Sequence, residues 1–135
     1  MNNPLRWRQR FETFEKAFQK LEMVACREDM KTDEIWKMAL VQAFEFTFEI
    51  AWKTMKDYLE EEGFELNSPK GTLRQAFQSK IIVNGEVWLE ALKQRNNTVH
   101  NYDSLILAET ATFIAESFYP EVCDWYHSFK NERFL

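Results

Sequence analysis

Between Asp33 and Glu62 the chain has neither glycine nor proline. That unbroken run limits its possible folds more than any other feature, because nothing inside it can punctuate a turn. One stretch, "FEFTFEI" (44–50), alternates apolar and polar residues, which taken alone is the period of a strand. A longer stripe overrides it. Phe44, Phe48, Ala51, Met55 and Leu59 recur at helical spacing straight through the segment. The run therefore reads as one long helix, and the alternation acquires another meaning: Phe46 and Ile50 form a second apolar strip on it. A helix that is apolar on two sides lies at the centre of a bundle or packs against another subunit. Glu49 and Lys53, four apart in the favourable order, read as part of a wet face.

The flanking sequence fits the same class. With three glycines and three prolines in 135 residues, long helices are favoured over a sandwich or barrel. The length suits a single domain, taken as residues 1–135, large enough for a real core. A first helix is expected from Pro4, with Trp7, Phe11, Phe14, Phe18 and Leu21 on one stripe. "REDMKT" (27–32) reads as a polar connector, with Thr32 as the cap of the long helix and Asp33 and Glu34 at its positive end. Gly63 suits the left-handed residue that closes that helix. Ser68-Pro69 reads as an N-cap followed by proline at the first helical position, opening a short helix with Leu73, Ala76 and Phe77. After a turn at "VNGE" (83–86), a fourth helix carries Trp88, Leu92, Arg95 and Val99 on one stripe, with Leu89 beside it. "HNYDS" (100–104) interrupts. Asp103 or Ser104 can cap a last helix whose stripe runs Leu107, Ala111, Ile114, Phe118, Val122, Trp125, Phe129. Pro120 lies inside it and is expected to kink it without ending it. The expectation is an all-α, up-and-down bundle of four long helices and one short one.

Twelve Phe, five Trp and four Tyr exceed what one small bundle usually needs inside, so some rings are expected at a subunit interface. The formal net charge of −5 does not advertise a nucleic-acid binder, although a local basic cleft can form on an acidic protein. Cys26 and Cys123 form no CxxC or zinc spacing and read as free buried thiols of a cytoplasmic protein. The N-terminus lacks the apolar core of a signal peptide, and no window of about 18 apolar residues is present to span a membrane.

Familiar chemistry is missing from the pattern: GxxxxGK[ST], HExxH, an EF-hand loop, GxSxG and D-x-D are all absent. His127 has no ligand at metal spacing. The acidic pairs Glu45/Glu49 and Glu60–Glu62 read as solvated faces or a helix end. What remains is "RNNTVHNY" (95–102). Arg95 is a charge on a largely buried stripe, and a buried guanidinium needs a carboxylate or a phosphate. His100 follows it by five residues, about 140° around a helix. Two routes bring them together: the helix ends near Asn97, a weak helix former, or the residues meet their counterparts across a two-fold axis. The plain alternative is a helix C-terminus with a satisfied loop histidine.

Taken together, "FEFTFEIAWKTMKDYLEEEGF", "SP-x(3)-LRQAF" and "RNNTVHNY" make the chain resemble the nucleotidyltransferase substrate-binding proteins, the HepT-like proteins of the HEPN superfamily. The resemblance covers roughly residues 5 to 130. The superfamily motif is Arg, a polar residue, three of any kind, then His, matched here by Arg95, Asn96 and His100; the subgroup's tyrosine is matched by Tyr102. Gly71 departs from the family, which commonly has a longer side chain there, and puts the short helix in doubt. The resemblance implies a homodimer whose motifs face a shared cleft. It implies a partner, a small nucleotidyltransferase encoded by an adjacent gene, acting as antitoxin to a ribonuclease toxin that needs no metal or other cofactor. It implies Arg95, His100 and Asn96 as catalytic residues acting on RNA, and Tyr102 as an acceptor of AMP from the partner. The alternatives it leaves are a non-catalytic subunit that presents a substrate to the nucleotidyltransferase, and a structural dimer.

Overall fold

The computed structural model describes residues 4–98 and 103–134. Its elements are α1 (Pro4–Ala25), a 3-10 turn (Glu28–Lys31), α2 (Glu34–Glu61), α3 (Pro69–Gln78), α4 (Gly85–Thr98), α5 (Ser104–Phe113), a π-helical turn (Ile114–Phe118) and α6 (Tyr119–Arg133). No strand occurs among the described residues, so the helical stripe through "FEFTFEI" prevails over its alternation. No helix among them is long and apolar enough to cross a membrane.

Side-chain bonds fix the direction of each helix. Thr47 Oγ1 donates to the Ala17 carbonyl (3.2 Å), Arg10 pairs with Asp57 (2.6 Å) and Trp7 Nε1 donates to Glu61 (2.6 Å). Residue numbers rise on one partner as they fall on the other, so α1 and α2 are antiparallel. Tyr119–Glu22 and Tyr126–Glu15 show the same for α1 against the last helical segment (2.8 and 2.6 Å). Gln94–Thr110 and Asn84–Glu121 do so for α4 (3.2 and 3.0 Å). The bundle is thus up-and-down, with α3 as the short element between its two halves.

Each helix ends for a local reason. Asp33, extended at φ −110°, ψ 117°, accepts from the Ile35 amide at 2.9 Å and caps α2. Thr32, expected in that role, instead closes the 3-10 turn, its backbone already in the helical region and its amide donating to the Asp29 carbonyl. The "REDMKT" connector is therefore ordered in part. Gly63 adopts φ +104° and closes α2, while the Phe64 amide returns to the Leu59 carbonyl (3.1 Å). Ser68 Oγ accepts from the Gly71 amide at 3.0 Å. A Cβ on Gly71 would approach that Oγ to 3.1 Å, so the glycine leaves room for the cap, and α3 forms despite it. Pro120 acts through the turn before it. Its nitrogen cannot donate, and its ring crowds the carbonyl four residues back. The backbone widens there to π geometry, with the Tyr119 amide reaching the Ile114 carbonyl, and the stripe continues unbroken.

The core is built largely of rings. Phe118, on the π turn, is fully buried and meets Phe44 edge-on at 4.8 Å, Phe48 at 6.2 Å and Trp88 at 5.7 Å. It thereby joins α2, α4 and the last segment. Most of the aromatic surplus is consumed inside the chain; Phe46, Phe64 and Phe77 are the exposed rings among the large hydrophobics. Phe77, expected on the inner stripe of α3, lies outside, and Leu73, Thr72 and Ala76 are the residues of that helix that are buried. The thiols also differ from expectation. Both are free, but Cys26 is exposed and Cys123 half-buried, because Cys26 follows the last turn of α1 at the rim, 4.0 Å from the Tyr119 hydroxyl.

Two measurements test this packing. Phe118→Ala should cost about 3–5 kcal/mol in denaturant unfolding, with the fold retained. Glu15 accepts from Tyr126 and from Lys130 (2.6 and 2.9 Å). Burial alone would raise its pKa, but these two partners outweigh burial and hold it below its ordinary 4.5. A carboxyl depressed in the folded state contributes stability above its unfolded pKa and loses it as pH falls through the folded one. Glu15→Gln should therefore be less stable than wild type at neutral pH, and the two thermal midpoints should converge in acid.

Candidate functional site

Helix α4 places Arg95 where α2 and α5 converge. Trp88 and Ala91 of α4 are fully buried, and Leu89 and Leu92 pack against the core, which turns the same face of the helix toward α2 one turn later. Arg95 is on that face, with its side chain 30% exposed. Its Nη2 donates to Glu49 Oε2 at 2.6 Å, and its Nη1 donates to Asn96 Oδ1 at 3.2 Å. The other oxygen of Glu49 stands 3.5 Å from Lys53 Nζ. One carboxylate thus serves two cations in a half-buried seam. Such a pair is less screened than a surface one.

The carboxylate that Arg95 required is Glu49, which the sequence assigned to a wet face with Lys53. The Lys53 contact is present, but Glu49 is half-buried. A signal was available: Phe46, Glu49, Ile50 and Lys53 are spaced three, one and three apart, so Glu49 belongs to the second strip of α2 and does not oppose it. Phe46 is 55% exposed and Ile50 half-buried, so this strip borders the seam.

The asparagines lie in the last described turn of the helix. α4 is helical through Asn96 and Asn97 to Thr98, the last described residue before His100. Val99, His100 and Tyr102 lie outside the described residues. On the far side of them Asp103 caps α5, its carboxylate accepting from the Leu105 amide at 2.8 Å. Gln94, which accepts from Thr110 at 3.2 Å, ties the end of α4 to α5. Arg95 and Asn96 are therefore brought together, and the junction that carries the motif is bracketed by Thr98 and Asp103.

Phe46, one turn from Glu49, is exposed, as are Met38 and Ile35 further toward the start of α2 and Leu105 at the start of α5. A groove of about 670 Å³ runs between Met38, Gln42 and Glu45 of α2 and Leu107 of α5. His127 is exposed on α6 near the Tyr126 ring. Among the described residues no cluster of three His, Cys, Asp or Glu side chains could hold a metal ion.

A family model described as "Nucleotidyltransferase substrate binding protein like" matches residues 9–131. No curated protein matches the chain in sequence. Among solved structures, a protein from Thermus thermophilus is 30% identical with a TM-score of 0.72, covering 85% of this chain and 96% of that one. A mutant of the toxin-antitoxin MntA-HpeT has a TM-score of 0.74 at 11% identity, covering 93% of this chain and 97% of that one; at that identity the likeness is one of fold.

The cap that opens α5 is the simplest part of this junction to test. Asp103→Ala should lower stability by about 1 kcal/mol, read as a shift in denaturant midpoint at constant slope.

Proposed function

Because the chain belongs to the nucleotidyltransferase substrate-binding-protein-like family, we propose that it is the HEPN-type member of a two-protein system. In this reading it is an endoribonuclease toxin, neutralised by a small nucleotidyltransferase encoded beside it. The observation that carries the reading is the Arg95 guanidinium, drawn into the α2–α4 seam at the end of the helix that leads into His100 and Tyr102. A half-buried guanidinium suits a phosphate whose charge grows in a transition state.

The step balances on the chain's own groups. A ribose 2′-oxygen attacks the adjacent phosphorus, forming the 2′-O–P bond as the P–O5′ bond breaks. One His100 takes the 2′-OH proton, and a second His100, from another copy, gives a proton to the leaving 5′-oxygen. Arg95 holds the phosphate oxygens, and Asn96 keeps the guanidinium turned. The requirement for two histidines makes the active species a homodimer, and the exposed Phe46 next to the seam, with Met38 and Ile35 continuing its strip about two and three turns further along α2, supports an interface on this side. AMP transferred to Tyr102 would add bulk and negative charge within the motif and exclude RNA.

One observation favours a second reading. Glu49 already neutralises Arg95, in a chain of net charge −5, and such a field repels RNA. The alternative is a non-catalytic subunit that presents a substrate to the nucleotidyltransferase.

Expression decides between them. The chain produced alone should arrest growth, co-production of the neighbouring nucleotidyltransferase should relieve the arrest, and His100→Ala should abolish it with an unchanged melting temperature. A harmless wild type, or an equally toxic His100→Ala, overturns the ribonuclease reading. Light scattering at micromolar concentration should give the mass of two 16.3 kDa chains; a monomer overturns the shared cleft.

A further inference from the structure

We propose that Glu49 is a positioning residue for Arg95: an anion built into the central helix that aims the guanidinium and opposes RNA binding while doing so. The inference rests on the ribonuclease reading and adds to it a residue from outside the "RNNTVHNY" motif.

The argument begins with mounting. Arg95 is in the last turn of the described part of α4, at the end of a long side chain with much rotamer freedom to lose. Glu49 is mounted differently. Phe48 and Ala51 on either side of it are fully buried and Trp52 nearly so, so the backbone of α2 is fixed at this point. Both oxygens of Glu49 face cations, Oε2 the Arg95 guanidinium at 2.6 Å and Oε1 the Lys53 ammonium at 3.5 Å. A carboxylate that meets a cation at each oxygen, on a segment flanked by buried side chains, constrains where the Arg95 charge stands. Asn96 at 3.2 Å sets the second edge of the guanidinium. Placement matters because a misplacement of about 1 Å can cost roughly 100-fold in rate.

The same carboxylate brings a negative charge next to the place a phosphate must occupy. Its removal therefore has two opposed effects: binding of RNA is relieved of a repulsion, and the chemical step loses its aim. A residue that merely stabilises the fold would not separate these effects.

The experiment uses the full-length protein, a labelled single-stranded RNA and its uncleavable 2′-O-methyl counterpart. Glu49→Ala should lower kcat by roughly 10- to 100-fold with KM, and affinity for the uncleavable strand, unchanged or improved. Glu49→Gln keeps an acceptor for Nη2 and should recover most of the rate. The Arg95 Nε–H nitrogen signal, assigned by its loss in Arg95→Lys, should be ordered in wild type and Glu49→Gln and averaged in Glu49→Ala. A wild-type rate in Glu49→Ala overturns the proposal, and so does a loss of rate and binding together with a lowered melting temperature. A wild type that does not cleave the RNA defeats the ribonuclease reading instead. The nitrogen signal then decides Glu49 alone: equal order in wild type and Glu49→Ala overturns its positioning role.

Discussion

Helix α2 cannot be left facing water, and the rest of the bundle follows from that. Its buried residues Leu40, Val41, Phe44, Phe48, Ala51, Trp52, Met55 and Leu59 form one broad face, with Thr47 and Thr54 along its edge. α1 packs along one flank, the last helical segment along another, and α4 crosses a third. The buried hydroxyls and the buried carboxylate of this helix each have a partner, whereas the Trp52 Nε1 beside them has none among the described residues. Thr47 donates to the Ala17 carbonyl, Thr54 to the Ile50 carbonyl of its own helix, and Asp57 takes the Arg10 guanidinium. A buried donor or acceptor left alone would cost about 1–3 kcal/mol, so these bonds also fix the register of α1 against α2. The site inherits that order: Glu49 is as well placed as it is because its neighbours in sequence have nowhere else to go.

Pro120 illustrates how a local defect is absorbed by packing. One missing donor would normally bend the helix away from its partners. Here the preceding turn is widened, and Phe118, carried on that turn, fills the space between α2 and α4. The irregular turn is where three helices are joined by one ring.

Much of the fold was legible because it depends on period and punctuation. The stripes of α1, α2 and the last segment are read directly from spacing, and Gly63, Ser68 and Asp103 mark boundaries through bonds that involve neighbours only. What was not legible depends on distance in sequence. Thr32 and Asp33 are both cap residue types, Asp the better of the two, and the 3-10 turn upstream, closed by Thr32, leaves the role to Asp33. Arg95 announced itself as a charge on an apolar stripe, and its need for a carboxylate was stated by physics. Which carboxylate it takes is a question of how α4 crosses α2, and no pattern within either helix contains that angle. The widening at Pro120 was likewise foreseen as a disturbance but not in its form, since kinking and π geometry relieve the same clash and the choice belongs to the surrounding rings.

The contacts at the far end of the bundle carry a topological consequence. Trp7 packs edge-on against Phe134 at 5.4 Å, and Arg8 donates to the Arg133 carbonyl, so the first and last described turns touch. The helices therefore form a closed cycle in space. Glu61, beside this closure, is one end of α2, and Glu49 lies twelve residues along it, about 18 Å away at 1.5 Å per residue. The contact between Trp7 and Phe134 and the Arg95 seam therefore occupy separate regions of the same rod. A bulky label on a side chain at this contact stands clear of the seam by about the same 18 Å.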